Sequence, residues 1–126
     1  MNIRYNDGLL FIDIEISYLG QCKLIENVVL DTGASHTIIS PDIVSSIGIS
    51  ASATDKFITM FGVGGQHYAY RKAVDSISIC NNKIENIEID FGVIDETGYI
   101  NGLIGLDILL ELGVSIDLNN LKLKFI

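Results

Sequence analysis

Asp31-Thr32-Gly33 is the segment of this chain whose residue types can do chemistry. An apolar run, Val28-Val29-Leu30, ends there on an acid, a hydroxyl and a glycine. Such a run is what a strand buried on both faces looks like, and burial makes an unpaired carboxylate costly. Asp31 therefore stands where a charge needs a reason. Thr32 offers a hydroxyl that can tie the turn to neighbouring backbone. Gly33 lets the chain bend sharply and leaves room for a substrate backbone to approach. This is how a carboxylate is presented at the mouth of a cleft.

The elements that must position Asp31 are mostly strands. Leu10 to Tyr18 alternates, with Ile12, Ile14 and Ile16 against Asp13, Glu15 and Ser17, and Leu19-Gly20-Gln21 turns it back through Cys22 to Asn27 into the Val28-Val29-Leu30 run. Thr37-Ile38-Ile39 is a further short strand. Ser40 as cap and Pro41 in the first helical position predict a short helix closed by Gly48. The arms Phe57–Phe61 and His67–Tyr70 flank a glycine-rich tip, Gly62-Val63-Gly64-Gly65-Gln66, which suits a tight turn or a mobile cover. Val74–Cys80 and Ile84–Phe91 alternate around a turn at Asn81-Asn82-Lys83, and Asp95–Asn101 is a polar loop. Leu103-Ile104-Gly105 leads into a second short helix, Leu106–Leu112, ended by Gly113. Val114, Ile116 and Leu118, then Leu121, Leu123 and Phe125, form the last strands. The class that follows is all-β: a closed or folded-over β-barrel with one or two short helices.

With 126 residues and 48% apolar content, the chain is long enough for one domain, residues 1–126, with a real core. A net charge of −8 with only 8 Lys and Arg argues against nucleic acid and against an anionic membrane surface. No signal-peptide core and no membrane-spanning run occur, so a cytoplasmic location is expected. Cys22 and Cys80 are too few and too far apart for a disulfide framework, and free buried thiols are expected.

Three separated segments, in order, resemble a retropepsin-type aspartic protease, closer to cellular and bacterial members than to viral ones. They are the buried strand into Asp31-Thr32-Gly33-Ala34-Ser35, the flap-like Gly62-Val63-Gly64-Gly65, and Gly102-Leu103-Ile104-Gly105-Leu106-Asp107-Ile108-Leu109. The resemblance implies a closed acid-protease barrel and an aspartic endopeptidase. The chemistry of that family needs two carboxylates, and only one good Asp-Thr-Gly is present. Glu96-Thr97-Gly98 mimics the letters but lacks the buried strand before it and the Ile-Ile strand after it. The implied partner is a second copy of the chain, giving a homodimer with one Asp31 per subunit. Two carboxyl groups in contact cannot both be charged, so they share a proton, one acting as base on a water and the other as acid on the peptide carbonyl. No metal or organic cofactor is needed. Thr32 is implied to brace the paired loops, Gly33 and Ala34 to supply backbone for an extended peptide, Val63 and Gly64 to close over it, and Leu103 to line a side-chain pocket.

The departures from the viral pattern matter. Ser35 replaces an acid and Leu106 an arginine, so an ion pair common beside the viral cleft is missing from both ends. Asp107 is expected to be an acid favoured by the start of a helix. Ala34 has no hydroxyl for the adjacent carboxylate, which predicts activity persisting toward neutrality. The rivals are a cysteine or zinc enzyme using Cys22, Cys80, His36 and His67, which have no ligand spacing, and a catalytically silent dimeric peptide-binding module of the same fold. Both histidines are expected to be solvated or locally bonded.

Overall fold

The computed structural model describes residues 1–62 and 65–125. Its strands are β1 (Arg4–Asn6), β2 (Leu9–Tyr18), β3 (Gln21–Leu30), β4 (Ile38–Ile39), β5 (Lys56–Gly62), β6 (Gly65–Ile79), β7 (Asn82–Gly92), β8 (Gly102–Ile104), β9 (Ser115–Asp117) and β10 (Lys122–Lys124). The helices are α1 (Pro41–Val44), continued by a 3₁₀ turn over Ser45–Ile47, and α2 (Leu106–Leu112). Eight strands form one sheet in the order β1-β2-β3-β8-β4-β7-β6-β5, and an added β2–β6 pairing closes it into a ring. The all-β barrel expected from the alternation is the fold. Among the described residues, no helix is long and apolar enough to cross a membrane.

Hairpin chemistry builds most of the ring. Leu19 and Gly20 link β2 to β3, and Cys80 and Asn81 link β6 to β7, with positive φ at all four positions. Two-residue loops of this hand match the right-handed twist of the strands they join. The second loop therefore falls one residue earlier than the expected Asn81-Asn82-Lys83. Its geometry overturns the expectation for the thiols: Cys80 sits on the turn and Cys22 beside the other turn, and both are free but exposed. Two further expectations change. The arms read as separate strands at His67–Tyr70 and Val74–Cys80 are one strand, β6, whose 15 residues run through Arg71-Lys72-Ala73. Arg71 and Lys72 interrupt the alternation, but all three residues keep their ladder partners on β7. The N-terminus, left without an element by the sequence reading, supplies β1.

The interior is filled from all sides by Ile12, Ile14, Ile16, Ile25, Ile39, Ile77, Ile79, Ile89, Phe91 and Ile104, each at most 1% exposed. Full burial of one such side chain contributes about 1.5–3 kcal/mol. At the other end, β10 is the middle of a terminal ribbon. It pairs with β9 on one edge, while Leu123 exchanges backbone bonds with Met1 on the other at 2.8 and 3.1 Å.

Candidate active site

The Asp31 loop hangs from the place where three strands meet. Val28, Val29 and Leu30 are 0%, 5% and 8% exposed, and they run parallel to β8 with Val28 opposite Gly102 and Leu30 opposite Ile104. On its other edge β8 pairs antiparallel with β4. The chain thus leaves β3, forms the loop, and returns as β4 on the far side of β8. Backbone bonds pin the loop to the strand it straddles: Asp31 N–H donates to Ile104 O at 2.9 Å, and Leu106 N–H to Ala34 O at 2.8 Å. Within the loop, Ala34 N–H donates to Asp31 O at 3.2 Å. Gly105 makes this closeness possible, because a Cβ there would stand 2.7 Å from Ala34 O and 2.9 Å from His36 C. No other residue type fits.

Asp31 itself is half-buried, while Thr32 and Gly33 are exposed and Ala34 is half-buried. The Asp31 Oδ1 accepts the Gly33 N–H at 2.9 Å. Among the described residues, Oδ2 has no hydrogen-bond donor, so one face of the carboxylate is left for something outside the chain. Leu103 is half-buried between Val29 and Ile38, whereas Gly102 and Ile104 on either side are buried. Alternation along β8 thus turns Leu103 away from the barrel interior. The β5–β6 hairpin has the expected arms, paired from Lys56 with Arg71 to Gly62 with Gly65. Val63 and Gly64 lie outside the described residues. The structure therefore brings Asp31, Thr32, Gly33 and Ala34 together on one loop beside Leu103. His36 and His67 are exposed, as expected. Among the described residues, no three His, Cys, Asp or Glu side chains gather as metal ligands would.

Behind the loop lies a polar network that the sequence did not reveal. Thr37 is fully buried, and each of its polar atoms is bonded. Its N–H donates to both oxygens of Asp107, at 3.1 and 3.0 Å, and its O–H donates to Asp107 Oδ1 at 2.7 Å. Its Oγ1 in turn accepts the Gly105 N–H at 3.0 Å, and its carbonyl accepts the Asp90 N–H at 3.2 Å. Asp107 does begin α2 and accepts the Ile108 N–H at 2.9 Å, but its main partner is Thr37. The helix-dipole reading was therefore incomplete. Asp90, only 5% exposed, is held by Arg71 through Nε at 2.7 Å and a guanidinium N–H at 3.3 Å. This bonding raises the Arg71 pKa above its ordinary value, burial opposes the rise, and the charges of Asp90, Glu88 and Asp107 add to it. The available signals are Thr37, just ahead of the apolar strand Ile38–Ile39, and Asp107, within the apolar start of α2, each a polar residue that demands a partner when buried.

Comparison with known proteins sharpens the reading. The family described as aspartyl protease matches residues 15–108. No curated protein matches the chain. The chain is similar to the crystal structure of a retropepsin-like aspartic protease from Rickettsia conorii, with a TM-score of 0.70 and 22% identity over 98% of this chain and 95% of that one. The barrel and its loop order are those of that fold.

Proposed function

Because the chain belongs to the aspartyl protease family, we propose that it is an aspartic endopeptidase whose active site forms when two copies bring their Asp31 loops together. The observation that carries this reading is the Asp31 carboxylate, bonded inside its own loop through Oδ1 alone and held on a loop pinned to β8. A second carboxylate must come from elsewhere, and a two-fold axis beside the loop supplies it as the same residue.

The pair shares one proton. As the charged member takes a proton from the water lying between the two, the water oxygen bonds to the peptide carbonyl carbon and the protonated member gives its proton to the carbonyl oxygen, leaving a diol. A carboxyl proton then passes to the leaving nitrogen, the carbon–nitrogen bond breaks, and a diol hydroxyl returns a proton to the pair. Thr32 braces the paired loops, Gly33 and Ala34 offer backbone to an extended peptide, Leu103 borders a side-chain pocket, and the tip at Val63 and Gly64 closes over the bound chain. β10 has both edges filled within its own chain, so the subunits join without β10 exchanging partners. The protein acts in the cytoplasm on peptide or protein substrates.

Incubation with a mixed peptide library, followed by mass spectrometry, tests the chemistry: the wild type cleaves and Asp31→Asn does not. Equal cleavage by both sinks the reading, and cleavage by neither leaves the silent peptide-binding module as the better account. Sedimentation tests assembly, since a protein that cleaves as a monomer contradicts the shared site. With Ala34 giving no hydroxyl to the neighbouring carboxylate, activity extends toward neutral pH. A profile confined below about pH 4, the ordinary aspartate range, overturns that expectation.

A further inference from the structure

We propose that Asp107 is a positioning residue for the Asp31 loop, acting through Thr37; this rests on the aspartic-protease reading of that loop. The loop has two ends. Its first end is fixed by the strand, through Leu30 in β3 and the Asp31 N–H bond to Ile104 O. Its second end is Thr37, the residue just before the two-residue strand β4, which by itself is too short to fix a position. The Thr37 carbonyl accepts the Asp90 N–H, and its two donors, N–H and O–H, are both held by the Asp107 carboxylate. Donating its proton to Asp107 also orients the Thr37 hydroxyl so that its oxygen accepts from Gly105, the residue over which the loop closes.

The chain from Asp107 to the loop is therefore continuous. Gly105 N–H meets Thr37 Oγ1, Leu106 N–H meets Ala34 O, and Ala34 N–H meets Asp31 O. Each of these contacts shifts if Thr37 moves. A shared-proton pair across a two-fold axis is sensitive to such a shift, because a displacement of either subunit changes the separation of both carboxyl groups at once. Misplacement by about 1 Å costs on the order of 10²-fold in rate. The chemistry also calls for a carboxylate at this position. Thr37 presents two donors, the carboxylate has only acceptors, and an amide would turn a donor of its own toward one of them.

The test uses the full chain with Asp107→Asn, Thr37→Val, Thr37→Ser and the double variant Asp107→Asn/Thr37→Val. On a peptide that the wild type cleaves, Asp107→Asn and Thr37→Val each lower kcat by about 10- to 100-fold with KM held within about 2-fold. Thr37→Ser, which keeps the hydroxyl, restores kcat to within about 3-fold of the wild type, and the double variant is no worse than either single one. Amide hydrogen exchange supplies a readout independent of activity. In Asp107→Asn, exchange at the Asp31 and Leu106 amides speeds up by about tenfold or more, while amides of the β2–β6 pairing keep their protection. Unchanged kcat and unchanged protection at Asp31 and Leu106 in a folded Asp107→Asn overturn the proposal, as does a loss carried by KM alone. A wild type that cleaves nothing counts against the protease reading. The exchange result then decides the positioning role by itself, and if Asp107→Asn does not fold, Thr37→Val against Thr37→Ser decides it.

Discussion

The chain contains two segments in which an acid precedes Thr and Gly, and they differ in what their carboxylates have left to give. In Asp31-Thr32-Gly33 the acid follows a buried strand, and one of its oxygens accepts one backbone N–H. In Asp95-Glu96-Thr97-Gly98 the acid that bonds the loop is Asp95, one position ahead of Glu96, and both its oxygens are used: Oδ1 accepts the Thr97 N–H at 3.0 Å and the Thr97 O–H at 2.7 Å, and Oδ2 accepts the Ile100 N–H at 3.0 Å. Asp95 folds its own loop and has little left for a ligand. Asp31 has its loop held for it, by Ile104, Gly105 and Leu106.

The sharpest way to break this comparison is to neutralise each acid in turn. On the proposed mechanism, Asp31→Asn removes the acid–base group and lowers kcat by at least about 10³-fold, near the upper range for loss of such a group. Asp95→Asn leaves kcat within about twofold. Steady-state cleavage of one peptide by the two variants measures both, and a large kcat loss in Asp95→Asn would remove the distinction.

A glycine beside the first loop and one within the second separate next. An alanine at Gly105 places its Cβ 2.7 Å from Ala34 O, so either the loop or β8 must shift. The expected cost is about 2–4 kcal/mol of unfolding free energy, with cleavage lost alongside it. Gly98 lies at φ +79° with nothing within 4 Å of a Cβ, so Gly98→Ala meets only the left-handed backbone penalty of about 1 kcal/mol. Urea unfolding of the two variants distinguishes a steric lock from a local turn preference.

Much of this was legible because the signals were local. Val28-Val29-Leu30, the alternation from Leu10 to Tyr18, Pro41 at a helix start and Gly113 at a helix end are choices each residue makes with its near neighbours. Asp31 stands out because burial and charge conflict within three residues. Asp107 was placed on the right helix, yet its partner lies 70 positions away, and no periodicity links them. The same holds for Arg71 and Asp90, whose pairing depends on the β6–β7 register. The thiols were misjudged for the opposite reason: Cys22 and Cys80 are apolar enough for a core, but the two-residue hairpins set them at exposed ends. Composition cannot report where a turn falls within one residue.

The smallest expected effect concerns acid. Asp95 has its pKa lowered below the ordinary carboxylate value, mainly by the Ile100 N–H and then by the Thr97 hydroxyl and N–H. A carboxyl with a depressed folded pKa contributes stability that is complete above its unfolded value, near 3.9, and lost as pH falls through the folded one. Asp117, lowered to about 2 by Asn120 first and by Lys124 after it, behaves in the same way over a window reaching further down. Asp95→Asn should therefore make the decline of stability with acid shallower just below pH 4, from a lower starting value, because the variant has no proton to take up there. Urea midpoints at several pH values between about 2.5 and 6 check the sign, since the difference between wild type and variant must shrink as pH falls. A difference that stays constant means that the Asp95 bonds are as strong to the protonated acid as to the carboxylate. In that case the contrast with Asp31 rests on geometry alone.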